Sequence, residues 1–244
     1  MHETARDPLP LFREANVELT RRLAKAAREV GVPRFVLVSS VKVNGEETGS
    51  RPFAADDSPG YCDPYGQSKW EAEQILQDIC EAGKTEWVVV RPPLVYGPEV
   101  RANFFNLMHA VYRGLPLPLG GLQNRRSLVS LHNLCSLLMC VAEAPAAANQ
   151  RFMVSDDEDV STPELVRALA VAMRRPARLF TIPRSLLELV GSLTGRKAAV
   201  QRLYSSLAVD LAKTKEILGW RPPFTLAEGL QPTVEWYLSN CRAR

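Results

Sequence analysis

Two short runs of β-branched and aromatic residues constrain this chain more than anything else in it. The first, Arg34-Phe35-Val36-Leu37-Val38-Ser39-Ser40, follows a helical pattern stopped at Gly31-Val32-Pro33. The second, Thr85-Glu86-Trp87-Val88-Val89-Val90-Arg91, is ended by Pro92-Pro93. Continuous apolar runs of this length read as strands buried on both faces, the habit of parallel sheets. Between them lies a helical pattern with Asp63 as N-cap, Pro64 at the first helical position, and Trp70, Ala72, Ile75, Leu76 and Ile79 at helical spacing. Strand, helix, strand in that order predicts a right-handed βαβ crossover and an α/β fold.

The flanking segments extend the prediction. From Pro10 to Val30, Leu11, Phe12, Ala15, Leu19, Leu23 and Ala27 recur at three and four residues, as in an amphipathic helix covering a parallel sheet. Residues 42–63 carry charges, glycines and prolines without a lasting period and read as a loop rimming a site. Further on come a helix over Asn103 to Arg113, a strand over Ser127 to Leu131, a helix over His132 to Glu143, a strand over Gln150 to Val154, and a helix opened by Thr162-Pro163-Glu164. Early alternation followed by helices predicts part of a Rossmann-like parallel sheet with flanking helices, carrying a smaller, mostly helical C-terminal substrate lobe. The expected division gives residues 1–95 and 127–156 to the sheet domain, and 96–126 and 157–244 to the lobe.

The candidate chemistry sits where the first strand ends and the long helix begins. Tyr65-Gly66-Gln67-Ser68-Lys69 places a phenol and an ammonium one turn apart on one helical face. Ser40 lies at the carboxyl end of the preceding strand, the region outside which open α/β sheets bind ligands. A tyrosine normally ionises near pH ~10, and a cation held beside the phenolate favours the charged form. Ser40, Tyr65 and Lys69 are therefore predicted to form a proton-transfer set for an alcohol or ketone.

Other classes fit poorly. A net charge of +3, with arginines interspersed among acidic residues, gives no basic stripe for nucleic acid. Five cysteines without a Cys-x-x-Cys pair read as reduced thiols, and three dispersed histidines offer no metal cluster, so no metal is expected. No apolar run approaches the ~18 residues of a membrane span, and the polar N-terminus lacks a signal peptide's apolar core. A cytoplasmic protein with small-molecule partners is the expectation.

Six ordered motifs carry a resemblance that runs over nearly the whole chain: Asn16-Val17; Phe35 to Gly45 with its paired serines; Tyr65 to Lys69; Arg91-Pro92-Pro93-Leu94-Val95-Tyr96-Gly97-Pro98; Arg126-Ser127-Leu128-Val129; and Leu218-Gly219-Trp220-Arg221-Pro222. The chain resembles the NAD-dependent epimerase/dehydratase family of extended short-chain dehydrogenases/reductases, which act on nucleotide sugars. The resemblance implies NAD or NADP as cofactor, a nucleotide-sugar substrate and a homodimer. It implies that Tyr65 removes the sugar hydroxyl proton while hydride passes to the nicotinamide. Lys69 would hold the nicotinamide ribose and lower the tyrosine pKa, and Ser40 would bond the reacting oxygen. Asn16, Ser39, Tyr65, Lys69 and Pro93 match cofactor-binding positions. Ser40, Asn103, Arg126 and Arg202 match substrate positions, the arginines suiting a diphosphate by their planar fork. The plainer alternatives are a helix N-cap for Asn103 and a solvated charge for each arginine.

UDP-sugar 4-epimerization is the leading activity implied. Leu94, where UDP-galactose 4-epimerases use an asparagine, and Ser205, where they carry an aspartate, are departures that keep a nucleotide 4-keto-sugar reductase and a 3β-hydroxysteroid dehydrogenase-like enzyme as alternatives. The glycine-rich pyrophosphate turn of such a domain is not found in the sequence, which opens just after the family's fourth strand. The corresponding expectations are an unpaired edge on the strand Phe35 to Ser39, weak NAD binding by this chain alone, and, as an alternative of another class, an N-terminally truncated, non-catalytic remnant or binding module.

Overall fold

The computed structural model describes residues 7–183, 185–186, 192 and 203–240. The first helix runs in three continuous parts: α1 (Leu9–Phe12), a π-helical turn (Arg13–Glu18) and α2 (Leu19–Glu29). It ends as its sequence dictates. Gly31 takes φ +74° and the Val32 N–H returns to the Ala27 carbonyl at 2.8 Å, satisfying a carbonyl that the helix end would otherwise orphan.

Strand β1 (Arg34–Val38) leads through a 3-10 turn (Val41–Val43) and the rim loop into α3 (Pro64–Glu81), which returns the chain to β2 (Glu86–Arg91). The strands pair in parallel with Phe35 opposite Trp87 and Val38 opposite Val90. β5 (Gln150–Met153) pairs in parallel on the other side of β2, giving the order β1-β2-β5. The central strand is buried on both faces, as its run of valines requires. Val88 and Val90 pack with Phe152, Leu137 and Val141, and Trp87 and Val89 pack with Ala24, Leu76 and Ile79. β1 has β2 as its one strand partner among the described residues; Arg34 to Leu37 are half-buried and Val38 is exposed.

Two features differ from the sequence expectation, one in β-structure and one at a helix cap. The residues after Pro93 form a short strand of their own, β3 (Leu94–Tyr96), and it pairs in parallel with β4 (Leu128–Ser130) as a separate two-stranded sheet. Pro92 and Pro93 have no N–H to donate, so β2 goes on only as an acceptor, through the Pro92 carbonyl, before the chain changes sheet. α4 (Ala102–Tyr112), α5 (Leu131–Glu143) and α6 (Thr162–Ala172) follow. The cap of α6 is Ser161, one residue earlier than expected: it forms a full capping box with Glu164, while the Thr162 hydroxyl accepts a bond from Asn124.

The C-terminal part holds α7 (Ala212–Leu218) and α8 (Leu226–Asn240). Phe104, Met108, Val111, Leu169, Leu230 and Tyr237 build a core there, distinct from the two on the faces of β2. The first helix also corrects the sequence reading. Leu11, Leu19 and Leu23 lie 40%, 49% and 51% exposed, whereas Val17, Thr20 and Ala24 are buried. Helical spacing identified an apolar stripe, but α2 packs against α3 through its other face.

Candidate active site

The ladder between β1 and β2 continues beyond Val38 by backbone bonds from Ser39 N–H to Val90 O (2.8 Å) and from Val41 N–H to Pro92 O (3.0 Å). This extended backbone turns consecutive side chains to opposite sides. Ser39 goes inward: it is 4% exposed and its hydroxyl donates to Glu73 at 2.5 Å. The Ser39 side chain is thus committed to the core. Ser40 goes outward, caps the 3-10 turn by accepting from the Lys42 N–H at 3.2 Å, and its hydroxyl is near enough to the phenol of Tyr65 to lower the phenol's pKa.

The start of α3 is built by the rest of its motif. Asp63 caps the helix by accepting from the Gly66 N–H at 2.6 Å. Gly66 is needed because a Cβ there would lie 2.5 Å from the Lys42 carbonyl and 3.0 Å from the Tyr61 Cβ. The buried Ser68 hydroxyl donates to the Tyr65 carbonyl (2.8 Å) and accepts from the Asn16 side-chain amide (2.9 Å). Asn16 thus braces the tyrosine helix from the π-helical turn, a bond that its expected place at the cofactor did not include. The Phe12 ring meets that of Tyr65 edge-on, with centroids 5.5 Å apart.

Lys69 follows one turn after Tyr65, its Nζ donating to the Val38 carbonyl at 3.1 Å and lying 5.9 Å from the centre of the phenol ring. The electrostatics differ from expectation. Burial pushes the Tyr65 phenol above its ordinary value; the nearby Ser40 hydroxyl and the Lys42 charge pull it back, and the Asp63 charge pushes it up again. Burial also lowers the Lys69 pKa, against a raising contribution from Glu73. Lys42, whose ammonium pairs with Asp63 and Glu46, is the cation that favours the phenolate here. It carried no sequence signal, since one lysine in a polar loop looks like any other.

The remaining candidates are dispersed. Pro93 is buried at the end of β2, and Asn103 is exposed in the first turn of α4, whose N-cap is Arg101, so the capping alternative for Asn103 is corrected. Arg126 is half-buried, and burial lowers its pKa. Its Nη2 donates to Ser205 at 3.3 Å, and its backbone bridges to both Val160 and Leu207. Leu94 is 45% exposed. Arg202 lies outside the described residues. Among the described residues no cluster of His, Cys, Asp and Glu could hold a metal ion, and no helix is long and apolar enough to cross a membrane.

The parallel α/β layer has counterparts among solved structures. UDP-glucuronic acid 4-epimerase from Bacillus cereus in complex with NAD superposes with a TM-score of 0.75 at 18% identity, covering 94% of this chain and 67% of that one. MoeE5 in complex with UDP-glucose and NAD gives 0.70 at 25% identity, covering 92% and 71%. The fold class is thus α/β of the kind these NAD-bound proteins adopt. The family model for the NAD dependent epimerase/dehydratase family matches residues 1–155, and the chain belongs to that family. It is 46% identical over 240 residues to a UDP-glucose 4-epimerase of Vibrio cholerae, covering 98% of this chain and 73% of that protein.

Proposed function

We propose that the chain is an NAD-dependent nucleotide-sugar epimerase of the UDP-glucose 4-epimerase type, with Ser40, Tyr65 and Lys69 at its reaction site. The observation that carries the reading is the convergence on Tyr65 of Lys69, one turn along the same helix face with its Nζ 5.9 Å from the phenol ring, and of the Ser40 hydroxyl, near enough to lower the phenol's pKa. The similarity to the Vibrio cholerae protein supports the substrate class. A serine hydroxyl set beside a phenol marks a point where a sugar hydroxyl can bond to both. Tyr65, once ionised, is the group that takes its proton, and Ser40 orients its oxygen.

The donor set fits the nicotinamide end of NAD: an ammonium and a phenol stand beside the exposed end of β1, where ribose hydroxyls find partners. NAD when bound supplies the hydride acceptor. Lys69 and Tyr65 would hold that end, with buried Pro93 behind it. The half-buried Arg126 suits the substrate diphosphate, and Asn103 and Arg202 complete the proposed subsite. The core built by Phe104, Leu122, Leu165 and Leu230 supports assigning residues 96–126 and 157–244 to a substrate lobe.

The test is to incubate the purified chain with UDP-glucose and NAD and follow UDP-galactose formation by proton NMR. Turnover is expected, and Tyr65→Phe should lower it by about 10²-fold or more, the usual contribution of a positioned proton-transfer group. Unchanged turnover in Tyr65→Phe would refute the assignment of the base. No turnover by the unsubstituted chain would favour a non-catalytic binding module.

A further inference from the structure

Nothing in the proposed reaction touches Glu73, yet its side chain is fully buried, 0% exposed, one turn beyond Lys69. Its Oε1 accepts from the Ser39 hydroxyl (2.5 Å) and Arg91 Nε (2.9 Å), and its Oε2 from Arg91 Nη2 (2.6 Å) and Arg151 Nε (3.3 Å). Arg91, 1% exposed, reaches on to the Asn44 side chain (3.0 Å) and the Ala55 carbonyl (3.2 Å). A buried ion pair is weak evidence for stability, because well-packed apolar residues often replace one without loss. The Ser39 bond gives this pair a more specific use. Ser39 stands between Val38, whose carbonyl holds the Lys69 ammonium at 3.1 Å, and Ser40, whose hydroxyl lowers the Tyr65 pKa.

We propose that Glu73 is a positioning residue: by gripping Ser39 it ties the end of β1 to α3, so that one strand end presents the Val38 carbonyl to Lys69 and the Ser40 hydroxyl to Tyr65. The inference deepens the reading of Ser40, Tyr65 and Lys69 as the reaction site and rests on it. The geometry makes it local. A loosened residue 39 displaces both neighbours at once, and no other side-chain bond joins Ser39 to α3 among the described residues. The charge of Glu73 also supports the proton affinity of Lys69 against burial. The charged and titratable groups around Tyr65 are Lys42 on the 3-10 turn, Asp63 at the helix cap and Lys69 on its own helix; Phe12 from α1 is apolar.

Glu73→Gln leaves Arg91 buried without its counter-charge and can fail to fold, so Ser39→Ala is the primary variant, with Ser39→Thr as the rescue. Two readouts are taken on the full chain. The first is the ionisation of Tyr65, followed by absorbance at about 295 nm as the difference between each variant and the same variant carrying Tyr65→Phe. The second is UDP-glucose turnover with NAD. Ser39→Ala should move the Tyr65 midpoint upward, because a displaced Ser40 no longer stabilises the phenolate. It should also lower kcat roughly tenfold with KM held, as expected when geometry at the reacting group is lost. Ser39→Thr should restore both. An unmoved midpoint in Ser39→Ala overturns the proposal whether or not the chain turns over. A moved midpoint together with activity indifferent to Tyr65→Phe refutes the reaction-site reading and leaves the clamp standing.

Discussion

The backbone carbonyl of Lys42 lies 2.5 Å from where a Cβ on Gly66 would fall. The turn that follows Ser40 therefore rests directly on the first turn of the tyrosine helix, and the glycine of the motif is a packing requirement. Gly66→Ala gains helix propensity of up to ~1 kcal/mol, but a backbone atom cannot swing aside as a side chain can. We expect a net loss of about 1 to 3 kcal/mol in urea unfolding, typical of overpacking, together with reduced turnover. Unchanged stability and activity would mean that the turn and the helix are not in this contact.

Asp63 provides a second check on the same junction. Burial raises its pKa, but the Gly66 N–H and the Lys42 ammonium outweigh burial and hold the carboxyl below its ordinary value. A carboxylate depressed in the folded state stabilises above its unfolded pKa of about 3.9, and this is lost as pH falls through the lower folded value. Asp63→Ala should cost ~1 kcal/mol near neutrality, as for the loss of an N-cap. The gap between the two proteins in denaturant midpoint should close as pH falls below about 4. A gap that persists in acid would remove the carboxylate from the account.

Strand, helix and strand were legible because their signals are local: β-branched runs, a proline-marked cap and a glycine stop. The serine, tyrosine and lysine were legible for the same reason, since each sits at the end or start of such an element. What escaped depends on neighbours. The stripe of Leu11, Leu19 and Leu23 is visible as a period, but the period does not say which face α3 meets, and the structure buries Val17, Thr20 and Ala24 instead. β3 spans three residues, too few for any period, and is fixed by its pairing with β4. Glu73 left one trace, a charge set among the buried apolar positions of α3. Its arginine partners come from β2 and β5, which no helical pattern can show.

Lys42 should set the pH at which the enzyme works. A base must be ionised to accept a proton, so turnover should rise with pH through the Tyr65 ionisation. Burial moves that ionisation upward, while Ser40 and Lys42 move it down. Lys42→Met removes one of the two lowering influences, and the ascending limb of the kcat profile should shift to higher pH. An identical profile would leave the phenol's ionisation to groups other than Lys42.

Arg126 offers the sharpest test of where the diphosphate binds. Its backbone is tied on both sides, the N–H to Val160 O at 2.9 Å and the neighbouring Ser127 N–H to Leu207 O at 2.9 Å, so truncating the side chain leaves the segment in place. The lost interactions are charge-assisted hydrogen bonds, each worth about 1.5 to 3 kcal/mol. That converts to a rise in KM for UDP-glucose of roughly 10- to 100-fold in Arg126→Ala, with kcat little changed because the reacting end of the sugar is untouched. Arg126→Lys should recover only part of the loss, since an ammonium keeps the charge without the planar fork. Calorimetric titration with UDP alone separates the two halves of the substrate: its affinity should fall with the same ordering of variants. Equal UDP affinity in all three proteins would move the diphosphate away from Arg126.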